Sequence, residues 1–179
     1  MLSDIPGKRL NIYVPDYVVF DLETTGLSPK RDEVIEIAAL RVRDGSVVDE
    51  FSTLVNPGRP IPRGASAVNG INDRMVASAP YFTSALYDFL RFAGDDVLVG
   101  HNIQSFDLRF LYRDAAKFWS RSIGNDYIDT LILSRQRLPG LPHHSLGYLA
   151  EYYGLSADGA HRALFDCHMN QQAFELMSH

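Results

Sequence analysis

Three short stretches carry acids at positions where the surrounding pattern is apolar. The first is FDLETTG, in which Asp21 and Glu23 stand two residues apart at the end of an apolar run. In a strand, residues i and i+2 project from one face, about 6.5–7 Å apart along the chain. Two carboxylates so placed repel each other unless a positive charge lies between them. Hard cations such as Mg²⁺ and Mn²⁺ prefer oxygen ligands of this kind, whereas zinc calls for more His or Cys. Read alone, the pair is equally an acidic patch on a solvated strand face.

The second stretch, VLVGHNIQSFD, runs from a strand through His101 and Asn102 into a helix whose first turn holds Asp107. A carboxylate there complements the helix dipole, and this alone accounts for one acid. Asp107 also shares a face with Leu111 and Phe118, so it points to the core side and needs a partner. The third, HRALFD, places His161 at the mouth of the last helix and Asp166 one turn inside it. Asp166 flanks a stripe of Ala163, Cys167, Asn170, Phe174 and Met177 and can reach inward. His161 lies too far round an ideal helix to share that face, so it belongs to the preceding loop, where Gly154, Ser156 and Gly159 cluster. A single loop histidine is an ordinary surface residue. The signal is the set: four carboxylates and one histidine, from three segments, at strand ends and helix starts, where ligand sites in sheet proteins gather. A two-metal phosphodiesterase needs these parts, carboxylates to hold ions ~3.5–4 Å apart and a base for the attacking water. Histidine, with an unperturbed pKa of ~6.5, suits that proton transfer near neutrality.

Elements able to position these groups are legible. Tyr17–Leu22, Val34–Val42 and Val47–Val55 are β-rich runs separated by turn residues, notably Asp44-Gly45, and read as a meander. After Pro80 the spacing becomes helical, with Phe82, Leu86, Phe89 and Leu90 on one face. A strand at Val97–Val99, a helix over Ser105–Trp119 and a strand at Tyr127–Asp129 follow. A short helix begins at Thr130 with Asp129 and Thr130 as its cap, helices cover Ser145–Tyr153 and Arg162–Met177, and a Pro-containing loop spans Leu138–Pro142. Three antiparallel strands followed by alternating helices and strands predict an α/β fold, a mixed five-stranded sheet with helices on its faces.

With 179 residues and 46% apolar content, the chain suits one core. The expected organisation is a single domain over residues 17–179 after an irregular extension, 1–16, to which the sequence assigns no task. No stretch approaches the ~18 consecutive apolar residues of a membrane span, and the start lacks a secretory pattern, so a soluble, cytoplasmic protein is expected. The single cysteine, Cys167, reads as a small core residue. A formal charge of -5 argues against a protein that grips nucleic acid through a broad basic surface, although two divalent cations would bring -5 to -1.

The three motifs, in this order, resemble those of the DnaQ-like, or DEDDh, 3'-5' exonucleases of the ribonuclease H-like superfamily. Similarity extends through FSTLVNPGRPIP, AVNGI and Ile128-Asp129-Thr130, covering about Tyr17 to Met177. The resemblance implies a ribonuclease H-like fold. It implies that Asp21, Glu23, Asp107 and Asp166 ligate two Mg²⁺ (or Mn²⁺), with Asp21 bridging, and that His161 is the general base. By the same resemblance Thr24, Thr25 and Leu27 border the terminal nucleotide, with Leu27 wedging against bases, and Asn102 and Phe106 line the site; His101 is expected to be structural. The chain looks most like the proofreading exonucleases of bacterial replicative polymerases, of the epsilon-subunit type. This implies release of nucleoside 5'-monophosphates from DNA 3' ends and a polymerase as partner. Alternatives are an exoribonuclease acting on RNA 3' ends and, in another class, a non-catalytic polymerase or helicase interaction domain. Arg59, Arg63, Arg74, Arg109 and Arg113 are candidate phosphate contacts without assignment.

Overall fold

The computed structural model describes residues 1–156 and 162–178. Its strands are β1 (Leu2–Ser3), β2 (Tyr17–Thr24), β3 (Val34–Arg43), β4 (Ser46–Leu54), β5 (Val97–Gly100), β6 (Ser122–Ile123) and β7 (Tyr127–Asp129). Its helices are α1 (Arg63–Asn69), α2 (Asp73–Val76), α3 (Phe82–Ala93), α4 (Asp107–Trp119), α5 (Thr130–Arg137), α6 (Leu146–Tyr152) and α7 (Ala163–Ser178). The main sheet has the order β4-β3-β2-β5-β7, antiparallel from β4 to β2 and parallel from β2 to β7. This is the mixed five-stranded α/β arrangement that the sequence predicts.

Strand parity decides which groups face which layer. Val18, Phe20 and Leu22 of β2 pack with Leu86 and Phe89 of α3 and with Phe110 and Leu111 of α4. Tyr17 and Val19 point the other way, against Cys167 and Phe174 of α7. Carried forward, the same alternation puts Asp21 and Glu23 on the α7 side, beyond the end of that apolar layer. β2 also outruns β5. Their ladder ends at Val19↔Val99, so the last residues of β2 have no strand beside them on that edge.

Two polar clamps hold the joints. Asp129 is 2% exposed and accepts hydrogen bonds from Leu131 N (3.0 Å) and Ile132 N (3.3 Å), capping α5 as expected. It also accepts from Asn102 N (3.1 Å) and Gln104 N (3.0 Å), which fixes the turn between β5 and α4. In that turn Asn102 has a φ of 63°, and Gly100 passes so close to Phe20 O and Ile103 that a Cβ would meet Ile103 Cγ2 at 2.2 Å. The second clamp is Glu36, 2% exposed on β3, which accepts from Arg162 Nε (3.1 Å) and Nη2 (2.7 Å) and from Ala163 N (3.2 Å) at the start of α7.

Residues 1–16 take up a definite course. β1 pairs with β6, Gly7 N donates to Ile123 O, Leu10 N donates to Tyr127 O and Tyr127 N donates to Lys8 O. This segment therefore covers the outer edge of β7, where unpaired backbone would otherwise face solvent. Cys167 is fully buried, with Sγ donating to Ala38 O at 3.4 Å.

Removing the Asp129 carboxylate orphans N–H groups in two elements at once. Asp129→Ala is expected to lower unfolding stability by about 2–4 kcal/mol, read as a drop in the urea midpoint at unchanged m-value; a loss under about 0.5 kcal/mol would show that water replaces the clamp.

Candidate active site

Asp21 and Glu23 hang from the overrunning end of β2, and a register shift in the β2–β3 pairing lies directly after Glu23. Asp166, in the first turn of α7, descends onto them. One carboxylate oxygen from each of Asp21, Glu23 and Asp166 lies within 4.8 Å of the others, and all three side chains are half-buried. Asp107 arrives from the opposite layer at the N-terminus of α4. It is 2% exposed and its Oδ1 accepts from Leu22 N at 3.2 Å, filling the edge that β5 leaves open. Three of the four acids therefore form one tight cluster, and the fourth adjoins it from α4. His161 lies outside the described residues. The chain immediately after it, Arg162 and Ala163, is anchored by Glu36.

Charge and burial act together here. Asp21 is pushed well above the ordinary carboxylate range by burial and then by Asp107, Asp166, Glu23 and Glu36. Glu23 rises to about 8 through burial and the charge of Asp166, opposed by a hydrogen bond from Asn69. Asp107 rises to about 7, mainly through burial, with the hydrogen bond from Leu22 opposing the shift. Converging carboxylates that resist ionisation in the bare protein form a donor set fit for a divalent cation, and the all-oxygen ligands suit a hard ion. Asn69 is the partner missing from the sequence prediction. It is 4% exposed at the end of α1, its Oδ1 accepts from Ile71 N at 3.1 Å, and its amide is left for Glu23.

Beside the cluster lies a cleft of about 390 Å³ lined by Glu23, Thr24, Thr25, Leu27, Phe106 and, from α1, Asn69 with its neighbours. Asn102 lines a cleft with His101, Arg135, His143 and His144. The Nδ1 of His101 lies 3.1 Å from Thr130 Oγ1, and burial lowers its pKa to about 4, so the ring is neutral near pH 7 and ties β5 to α5.

A family model described as Exonuclease matches residues 18–174, spanning all three acidic motifs. The chain belongs to this exonuclease family. It is 37% identical to DNA polymerase III subunit epsilon of Aquifex aeolicus over 166 residues, 93% of this chain and 82% of that protein. It is 40% identical to the PolC-type DNA polymerase III of Bacillus subtilis over 151 residues, 84% of this chain and 10% of that much longer protein. Among solved structures, exonuclease X in complex with 5' overhanging duplex DNA aligns at a TM-score of 0.70 and 32% identity, covering 90% of this chain and 89% of that one. Escherichia coli exonuclease I in complex with a dT13 oligonucleotide aligns at 0.78 and 19% identity over 91% of this chain and 41% of that one, a likeness of fold. The exonuclease is thus a DnaQ-like nuclease, close to the epsilon type, on a ribonuclease H-like scaffold. No helix among the described residues is long and apolar enough to cross a membrane.

The raised carboxylates give a signed test. The folded exonuclease retains protons that the unfolded chain releases above its ordinary carboxylate range, so metal-free stability falls as pH climbs from there through about 7 and 8, the folded values of Asp107 and Glu23. The melting temperature of the chelated protein should decline from about pH 5 to about pH 8, and Mg²⁺ should restore more at the upper end. A chelated melting temperature that stays level or climbs across this window would contradict the arrangement.

Proposed function

We propose that the exonuclease removes nucleotides one at a time from the 3' end of DNA, releasing nucleoside 5'-monophosphates. The observation that carries this reading is the convergence of Asp21, Glu23 and Asp166 within 4.8 Å beside a cleft of nucleotide size. In it, Asp21, Glu23, Asp107 and Asp166 hold two divalent ions, Mg²⁺ or Mn²⁺. When bound, such ions supply Lewis acidity at the scissile phosphate and acidify the attacking water. His161 accepts the proton of that water. Asn69 orients Glu23, and Leu22 N–H orients Asp107. Thr24, Thr25, Leu27 and Phe106 receive the terminal nucleoside, with Leu27 against the base, and Asn102 lines the site beside Asp107.

DNA as substrate is supported by the epsilon-type relative and by the DNA named with exonuclease X. The same kinship supports proofreading or repair in the cytoplasm beside a DNA polymerase. The -5 formal charge fits a substrate held through bound ions and a pocket rather than along a basic track.

Time-resolved digestion of 5'-labelled single-stranded DNA with Mg²⁺, beside a chelator control and an RNA of equal sequence, tests the reading. A ladder shortening from the 3' end, faster on DNA than on RNA, is expected, and no nucleotide release from any strand would refute it. Asp21→Ala should abolish turnover while the fold persists, since it removes one of several repelling charges. His161→Ala should slow hydrolysis by roughly 10²–10⁴ with metal binding retained; wild-type rates in that variant would remove His161 from its role.

A further inference from the structure

The apolar stripe of α7 is interrupted at Asn170. Ala163, Cys167, Phe174 and Met177 are buried as their spacing requires, yet between them Asn170, 3% exposed, puts an amide where an aliphatic side chain would pack. A buried amide costs free energy unless it is hydrogen-bonded. Its Oδ1 accepts from Thr130 Oγ1 at 2.8 Å, and Thr130, the first residue of α5, is fully buried. The same hydroxyl lies 3.1 Å from the Nδ1 of His101 and 3.3 Å from Gly100 O. A hydroxyl carries a single hydrogen, and the shorter contact directs it to Asn170 rather than to Gly100.

Stability alone does not account for an asparagine here. With leucine at position 170 the stripe would be continuous, and the Thr130 hydroxyl would turn to Gly100 O, so its hydrogen would keep an acceptor. What the amide adds is direction. Apolar contacts are non-directional and permit a helix small rotations, whereas a hydrogen bond tolerates little departure from its distance and angle. The place of the bond shows which motion it opposes. Glu36 at the start of α7, Gln171 donating to Gly45 O at 3.0 Å, and Glu175 accepting from the Tyr17 hydroxyl tie the helix to β3, to the turn after it and to β2. Thr130 ties it to the other half of the sheet. The residue before it, Asp129, holds Asn102 N and Gln104 N in the turn that leads to Asp107. Asp129 and Thr130 thus join the start of α4 to α7, the two elements that bring Asp107 and Asp166 to the cluster from opposite layers. Asn170 follows Asp166 by four residues, about one helical turn, so the two are neighbours on α7. A rotation that broke the bond at Asn170 would swing Asp166 with it.

We propose that Asn170 is a positioning residue: through Thr130 it fixes the rotation of α7 and so holds Asp166 at the spacing from Asp21, Glu23 and Asp107 that divalent ions require. The inference rests on the metal-dependent reading of these acids and adds to it a residue outside the ligand set.

The test compares wild type with Asn170→Leu, Thr130→Val, the two combined, and Thr130→Ser, which keeps the hydroxyl. Each protein is measured for Mn²⁺ binding by titration calorimetry without DNA, for melting temperature in chelator, and for nucleotide release from single-stranded DNA. Asn170→Leu is expected to melt within about 3 °C of wild type yet to bind Mn²⁺ about tenfold more weakly. Thr130→Val should show a loss of affinity of similar size, and the combined variant no further loss, since both remove one contact. Thr130→Ser should bind within about twofold of wild type. Unchanged affinity in Asn170→Leu, losses that merely follow the melting temperature, or losses that add in the combined variant would each overturn the proposal. Should Thr130→Val fail to fold, Asn170→Leu and Thr130→Ser decide it. If the wild type binds Mn²⁺ but releases no nucleotide, the exonuclease reading fails while the binding comparison still decides the role of Asn170; a wild type that binds no Mn²⁺ overturns both.

Discussion

Like charges crowded at the end of β2 set the terms for the rest of this molecule. Asp21, Glu23 and Asp166 converge where burial and mutual repulsion both oppose ionisation, and Asp107 adds to the field from a third element, α4. Left to themselves such groups would splay apart. What prevents it is a frame of hydrogen bonds and packing outside the cluster: Glu36 grips the start of α7, Leu22 N–H grips Asp107, and Asn69 grips Glu23. Beneath them β2 is sealed on both faces by apolar side chains, so the strand that carries two of the acids cannot yield.

The order of the sheet explains why only this corner can host the cluster. β2 lies at the centre, and its ladder to β5 stops short, which opens a gap in backbone pairing just where the acids begin. That gap admits the N-terminus of α4 from one layer while α7 approaches from the other. The three acidic motifs are far apart in sequence because three separate crossings of the sheet are needed to return to one edge.

Much of this was legible in the residues. The five strands of the main sheet fall where β-branched runs and turn residues put them, and the stripe on α7 buries Cys167 and Phe174 as its spacing demands. The helices α1 and α2 were not legible: RGASAVN and DRMV are short, with little apolar periodicity, and tertiary packing of Ile61, Ile71 and Val76 completes them. Asn69 lies in the AVNGI segment that the resemblance covers, but no local pattern gave its side chain a task. Glu36 left a faint sign, an acid inside the apolar run VIEIAAL, which buried charge makes costly unless paired. Asp129 was legible as a helix cap, but its second pair of donors, Asn102 N and Gln104 N, comes from a loop that no local pattern connects to it.

The lone thiol stands behind all this. Cys167 is fully enclosed, one residue beyond Asp166, against the carbonyl of Ala38, which pairs across the sheet with Asp21. Burial and the neighbouring acids keep it protonated and inert while α7 is seated. A soluble thiol reagent reaches sulfur only during moments when that helix lifts, so the speed of alkylation becomes a clock for transient opening of the acidic corner, already wired into the chain without any engineered label.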